Sequence, residues 1–500
     1  MSIIIIYILN FLTLFSNSIF IENYLHIYQL RDYNSKRYFR FFLKKRIFYH
    51  IFCIILLIFQ LIFKNLISLL SINLIILIIN SLYHFSFNSS KTPIKYTKKI
   101  IRLYIISIIF LVLLSPIKYY PSLASIFLVV APVISNFMNL YDRIKNNNFI
   151  KKASEKIKLS QVKIIAITGS NGKTSVKQIL NQFLKIKYKI LATPKSFNTP
   201  LGIAKFVNEN DIDKYDFLIL EYGARKKGDI KKLCSIYGAD YGIITLIAPQ
   251  HLESFRSIEN VYRTKNELSE FLKTDLCIYN IDNLFVYRSY FEKPTLKVST
   301  SIYSKADIYA TNIKIKDFKT YFTIHINNQE YEANTRLLGR HNVTNILLAF
   351  ALAINLGINS NALIKCMKNL NYIPHRLELI KTHLNILDDS YNCSLASAKE
   401  STHVLSQFEN KKMVVTPGII EVGKSEYNIN FRLGQMCAKF DYLIIVGKHN
   451  KSAIKNGASS EKTNCKIILA NSLNDARKYF KLLKQGDNIL LLNDLPDDYN

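Results

Sequence analysis

The residues best suited to chemistry lie in one short stretch, ITGSNGKTSVKQIL, from Ile167 to Leu180. A β-branched run, KIIAI, leads into it and a helical pattern follows. Glycines at this junction let the backbone N–H groups of Gly169, Ser170, Asn171 and Gly172 close around phosphate oxygens, with Ser175 continuing the same nucleotide-binding segment. Lys173 then reaches the β- and γ-phosphates, and the Thr174 hydroxyl ligates Mg²⁺. The same letters also suit a glycine-rich turn that merely caps a helix, although strand, loop and helix in this order favour phosphate. The first glycine of the pattern G-x-x-x-x-G-K-T falls at Ile167, so this is the T-G-x-x-G-K-T variant.

Two acids stand where a parallel sheet delivers ligands, at the carboxyl ends of strands. Glu221 follows FLIL and Asp389 follows NILD. A carboxylate there can hold Mg²⁺ or a ribose hydroxyl, and each also fits a solvated strand end. His251 lies just beyond the run YGIITLI, and a lone histidine is usually structural. In SIENVYRTKNELSEFL the apolar positions Ile258, Val261, Tyr262, Leu268 and Leu272 follow helical spacing, and Lys265 occupies a slot on that stripe. It therefore points inward, unless its stem only snorkels to solvent.

These groups need a scaffold. From Lys163 onward, β-branched runs alternate with helical patterns, the rhythm of a mainly parallel α/β sheet. Two-residue alternation between Ser304 and Thr335, with a turn at Asn327-Asn328, predicts an antiparallel patch, and a helix is expected from about Val343 to Leu356. Further strands at Lys412–Val415, Tyr442–Val446, Lys466–Leu469 and Asn488–Leu492 indicate a second, Rossmann-like unit beginning near Arg376. A chain of 500 residues exceeds one core, and three regions are expected, 1–145, 150–374 and 375–500.

The first region differs in kind. Apolar runs cover residues 3–20, 48–63, 66–83, 103–117 and 123–140, and basic side chains crowd alternate loops between them. That pattern predicts five transmembrane helices, amino terminus out, with the rest of the chain in the cytoplasm and a lipid bilayer as partner. The formal charge of +30 does not imply nucleic acid, because about half of it lies in residues 1–158 and no nucleic-acid motif appears. Seven scattered cysteines without C-x-x-C spacing fit a reducing compartment and give no metal site.

The order TGSNGKTSVK, SFNTPLG, LEYGARKKGDI, HLESF with TKNE, GRHNVTN, PHR, DDSYN and TPGIIEVG resembles the Mur ligase family, ATP-dependent amino-acid-adding enzymes of peptidoglycan precursor synthesis. The resemblance runs from about Thr168 to Asn500. Glu221-Tyr222-Gly223-Ala224 and Asp388-Asp389-Ser390-Tyr391-Asn392 look most like the D-alanyl-D-alanine-adding member. It implies a phosphate-loop central domain, a Rossmann-like carboxyl-terminal domain, ATP and Mg²⁺ as cofactors, and UDP-N-acetylmuramoyl-tripeptide and D-Ala-D-Ala as substrates. It implies further that Glu221 and His251 are Mg²⁺ ligands and that Lys265 is carbamylated to become another. His341, Asn342 and Asn345 would serve the adenine side, Arg376 the γ-phosphate and Asp389 the ribose.

Members of this family ordinarily place a UDP-gripping domain before the phosphate loop, where this chain has its apolar runs. Asn392-Cys393-Ser394-Leu395 also replaces the usual Asn-Ala-Asn-Pro, and LLNDLPDD stands where many members carry Lys-Gly-Ser. The expected location is the bacterial inner membrane, multi-pass, with the ligase portion in the cytoplasm. Other readings are a related amide ligase with a different carboxylate substrate, an ATP-driven transporter and an inactive scaffold. The runs carry almost no ionisable residue at mid-membrane, which disfavours transport, and every ligand position is filled, which disfavours a scaffold.

Overall fold

The computed structural model describes residues 21–30, 33, 35, 38, 39, 55, 94–114, 127–194, 197–248, 252–274, 276–283, 295–391, 393–420 and 425–493. The chain divides into two units, residues 1–145 and 146–495.

In the first unit polar contacts join described segments that also bury apolar side chains such as Leu25, Ile100 and Leu103. The Gln29 side chain donates to the Lys95 carbonyl at 2.7 Å and accepts from the Lys95 N–H at 3.0 Å. Lys99 donates to Asn139 at 2.6 Å and lies 4.4 Å over the Tyr33 ring. The expectation of a multi-pass protein of the bacterial inner membrane is overturned. Among the described residues no helix is long and apolar enough to cross a membrane. The described part of the fourth apolar run, residues 103–114, lies on the helix Lys98–Leu114. The fifth enters the 33-residue helix Phe127–Leu159, where Pro132, Asn136 and Asn139 interrupt it before Asp142 and Arg143. The runs 3–20, 48–63 and 66–83 lie outside the described residues, Ile55 apart. A lipid bilayer therefore has no support as a partner.

The second unit holds two sheets. The first comprises β1 (Lys163–Thr168), β2 (Ile190–Ala192), β3 (Phe217–Glu221), β4 (Tyr241–Ile244), β5 (Cys277–Asn280), β6 (Thr295–Ser299), β7 (Ile308–Lys316), β8 (Lys319–Ile326) and β9 (Gln329–Thr335), in the order β2-β3-β1-β4-β5-β6-β7-β8-β9. It is parallel from β2 to β7, and β8 and β9 add antiparallel. Both faces of the parallel part are covered, which is why its strands read as unbroken apolar runs. Ile165, Ile167 and Ile219 pack on one face with the helices Lys173–Leu184 and Arg340–Asn355. Ile164, Ala166, Leu218 and Leu220 pack on the other with Ile203, Leu233, Val261 and Leu268.

The antiparallel patch forms as expected, with Asn327 and Asn328 both at positive φ, the geometry of a two-residue hairpin turn. A second such turn, Asp317-Phe318, was not evident in the sequence, because phenylalanine rarely adopts positive φ. Phe318 is held there by an edge-on contact with Phe408, 4.8 Å between centroids. The helix expected from Val343 begins at Arg340, released by Gly339 at φ 92.

The second sheet contains β10 (Glu378–Lys381), β11 (Asn385–Asp389), β12 (Lys412–Thr416), β13 (Tyr442–Val446), β14 (Lys466–Ala470) and β15 (Asn488–Leu492), in the order β10-β11-β15-β12-β13-β14. Only β10 runs antiparallel, and the other strands give the expected Rossmann-like arrangement.

The helix Arg340–Asn355 packs beside the helix Lys173–Leu184 on the same face of the first sheet, and Leu347 is fully buried in that core. Leu347→Ala should lower unfolding stability by roughly 2–5 kcal/mol through lost transfer energy and a residual cavity, read from urea denaturation.

Candidate functional site

The loop between β1 and the helix Lys173–Leu184 is held open by its neighbours. Ser170 N–H donates to the Leu246 carbonyl at 2.7 Å, the Ser170 hydroxyl donates to the Ala248 carbonyl at 2.9 Å, and the Thr245 hydroxyl donates to the Asn171 carbonyl at 2.6 Å. Gly169 has φ 144, and a Cβ there would fall 1.9 Å from Thr245 Oγ1. Gly172, at φ 88, caps the helix and leaves no room for a side chain beside Asn345 Oδ1. The first turn beyond it carries no acid of its own and buries Ser175, an arrangement that suits an anion at the helix N-terminus.

Lys173 arches back over this loop and donates to the carbonyls of Gly169 at 2.7 Å and Ser170 at 3.0 Å. Burial pushes its pKa down to about 8; the Glu221 carboxylate opposes that shift and the Arg376 charge adds to it.

Glu221 ends β3 and is fully buried. One oxygen lies 2.7 Å from the Lys177 ammonium and the other accepts from the Thr174 hydroxyl at 3.2 Å. Lys177 also donates to the Thr193 carbonyl at 2.6 Å beyond β2. Thr174 and Glu221 thus present adjacent hard oxygen donors, the kind Mg²⁺ takes, and the donor set fits that ion. The described residues hold no group of three or more His, Cys, Asp or Glu side chains able to bind a metal. His251 lies outside the described residues.

Lys265 is 2% exposed on the helix Ile258–Glu270. Burial drives its pKa well below the ordinary value, the Lys173 charge reinforces this, and the charges of Asp229 and Glu267 oppose it. Among the described residues no carboxylate comes within ion-pair distance of its amine. A buried amine so placed favours the neutral, nucleophilic form.

Three residues grouped by the sequence on the adenine side separate in space. Asn342 spends its amide on the Leu338 carbonyl at 2.8 Å, holding the start of the helix, and Asn345 backs Gly172. His341 Nδ1 is buried without a hydrogen-bond partner among the described residues, a polar atom that fits a base nitrogen or amine. Burial, with the Arg376 charge, pushes its pKa down to about 4.

Arg376 lies 4.4 Å over the Tyr391 ring, and burial lowers its pKa against the opposing charges of Tyr391, Glu221 and Asp389. Asp389 ends β11 and accepts from the Ser401 hydroxyl at 2.5 Å. Burial raises its pKa to about 6. Lys173, Thr174, Glu221, Lys265, His341 and Arg376 are thus within electrostatic or hydrogen-bonding reach of one another around the loop. Sequence reasoning missed Lys177, whose signal was its position one helical turn after Lys173, on the same face.

The neutral ring of His341 has a consequence for pH. Above its ordinary value of 6.5 the ring is neutral in both states; as pH falls from 6.5 toward 4, the unfolded chain takes up a proton that the folded one refuses. Stability should then drop by up to about 1.4 kcal/mol per pH unit. His341→Asn should flatten that part of the profile, measured as urea midpoints at pH 7 and pH 5.

Residues 167–353 match the Mur ligase middle domain family. The UDP-N-acetylmuramoyl-tripeptide--D-alanyl-D-alanine ligase of Buchnera aphidicola subsp. Baizongia pistaciae is 30% identical over 329 residues, 61% of this chain and 71% of the relative. The Escherichia coli K12 protein of the same name is 28% identical, over 58% of this chain and 65% of its own length. Among solved structures, the MurF ligase from Thermotoga maritima in complex with ADP matches with a TM-score of 0.63 at 23% identity, covering 70% of this chain and 80% of that one. That likeness shows a shared fold. On the identity and coverage of the Buchnera relative, the chain belongs to the Mur ligase family.

Proposed function

We propose that this chain is an ATP- and Mg²⁺-dependent amide ligase of peptidoglycan precursor synthesis, joining D-Ala-D-Ala to UDP-N-acetylmuramoyl-tripeptide. The observation that carries the reading is the contact of Thr174 with Glu221 beside the phosphate loop, with the buried Lys265 near enough to feel the Lys173 charge, in a chain whose relatives are named for this ligation. Residues 150–374 would form the ATP-binding domain and 375–500 the carboxyl-terminal domain.

In this reading the substrate carboxylate attacks the γ-phosphorus of ATP, giving an acyl phosphate and ADP. The D-Ala-D-Ala amine then attacks the acyl carbon, an amide bond forms, and phosphate leaves with the bond electrons. Backbone N–H groups of the loop, other than that of Ser170, which is already bonded to the Leu246 carbonyl, and the Lys173 ammonium hold the phosphates, exchanging the loop carbonyls that Lys173 now contacts for phosphate oxygens. Thr174, Glu221, His251 and the carbamate of Lys265 would hold Mg²⁺, whose chemistry when bound is neutralisation of charge on the phosphoryl oxygens. Arg376 meets the γ-phosphate, His341 the adenine side, Asn342 and Asn345 support the wall between them, and Asp389 accepts from the ribose. Exclusion of water by the buried site protects the acyl phosphate from hydrolysis.

Purified chain with ATP, Mg²⁺, D-Ala-D-Ala and UDP-muramoyl-tripeptide should release ADP and yield a product of the summed substrate mass less one water. ADP release without that product would reject the substrate assignment. Lys173→Ala should abolish turnover while circular dichroism stays native.

Lys265→Ala should be nearly inactive and regain part of its turnover with added formate or acetate, which supply the missing carboxylate oxygens. Lys265→Arg should stay inactive, since a guanidinium keeps its charge and takes up no CO₂. Normal turnover of either variant would remove Lys265 from the metal site.

A further inference from the structure

We infer that His375, Asp388 and Tyr391 form a clasp that positions the Arg376 guanidinium toward the phosphate loop; this rests on the reading of Arg376 as the γ-phosphate arginine. Arg376 is flanked on both sides by residues in the left-handed region, His375 at φ 60 and Leu377 at φ 52. Histidine is among the residues that adopt that conformation, but a bulky leucine there needs its surroundings to hold it. The surroundings do so. Leu377 is buried in the core of the second sheet, and Arg376 N–H donates to the Ile373 carbonyl at 3.1 Å.

His375 is fixed at three points. Its Nδ1 lies 2.8 Å from Asp388 Oδ2, its N–H donates to Glu378 at 3.2 Å, and its carbonyl accepts from Tyr391 N–H at 3.2 Å. Asp388 is itself held by the Ser390 N–H at 3.1 Å and hydroxyl at 2.6 Å. The Tyr391 ring then receives the guanidinium face at 4.4 Å. The turn and the ring therefore hold the arginine at both its backbone and its planar head. Successive side chains of a strand point to opposite faces, and the paired acids differ in partners: Asp388 holds His375, while Asp389 accepts from Ser401 on the next helix and lies near enough to oppose the Arg376 shift. A long, rotamer-rich side chain held in advance loses less entropy when it meets its ligand.

The test compares binding of Mg²⁺ with a non-hydrolysable ATP analogue and of Mg²⁺ with ADP, by calorimetry, on the full chain. Arg376→Ala should erase the preference for the analogue. Asp388→Asn and His375→Asn, the latter a residue that tolerates positive φ, should each weaken the analogue by about tenfold, the worth of one charge-assisted contact, and leave ADP within a factor of about two. Asp388→Asn added to Arg376→Ala should cost nothing further for the analogue, because a positioning residue acts only through the group it positions. Equal weakening of both nucleotides, no weakening of either, or full additivity in the double variant would overturn the clasp. An Arg376→Ala variant that keeps its preference would instead remove the γ-phosphate reading on which the clasp stands. Thermal melts of both single variants identify loss of fold, and His375→Asn carries the test if Asp388→Asn melts early.

Discussion

The buried pair Lys177–Glu221 is the interaction on which the site depends. Its two side chains are almost wholly removed from water and 2.7 Å apart, and losing either partner would leave an uncompensated charge, a cost of about 3–5 kcal/mol. The pair joins three places at once: the helix that follows the phosphate loop, the end of β3, and through the Thr193 carbonyl the segment beyond β2. None of these is local to another in the chain. The site therefore exists only when β2, β3, β1 and β4 stand side by side. The order also explains the position of the loop, since β2 and β3 lie to one side of β1 and β4 to the other, and ligands of open parallel sheets bind where the winding reverses.

Charge in this crevice is lopsided. Lys173, Lys177, Lys265 and Arg376 all feel burial that disfavours their cationic forms, and Glu221 opposes the shift on Lys173 and Lys177 and, with Tyr391 and Asp389, on Arg376. Such a site is built for an incoming polyanion, whose charge would relieve repulsion the protein tolerates in its absence. Lys265 stands apart within the group. With no ion-pair partner among the described residues and a cation for a neighbour, burial shifts it toward the neutral amine, the form needed for reaction with CO₂.

The second sheet contributes by reach. Asp389 and Arg376 come from β11 and the turn before β10, and their burial arises where that sheet's edge faces the loop of the first. Contacts such as Phe318 on Phe408 hold the hairpin of the first sheet to the second, at the expense of a phenylalanine in left-handed backbone.

Much of this was legible in the chain alone. The glycine spacing of 169–172, the apolar runs of β1, β3 and β4, and the acids at strand ends are local patterns whose backbone demands do not depend on distant residues. Even the inward placement of Lys265 followed from helical periodicity, because a stripe defines its own buried side. The apolar amino-terminal runs misled, since hydropathy records how strongly a segment avoids water and not what covers it; among the described residues no helix is long and apolar enough to cross a membrane, and polar residues interrupt the fifth run. Tertiary structure alone decided that Lys177 meets Glu221, that Asn342 supports the helix while a His341 nitrogen finds no partner among the described residues, and that Asp388 bonds His375 while Asp389 bonds Ser401. Each of those outcomes is a pairing through space, and sequence fixes what a side chain can bond to but only the packed sheets determine what stands within 3 Å of it.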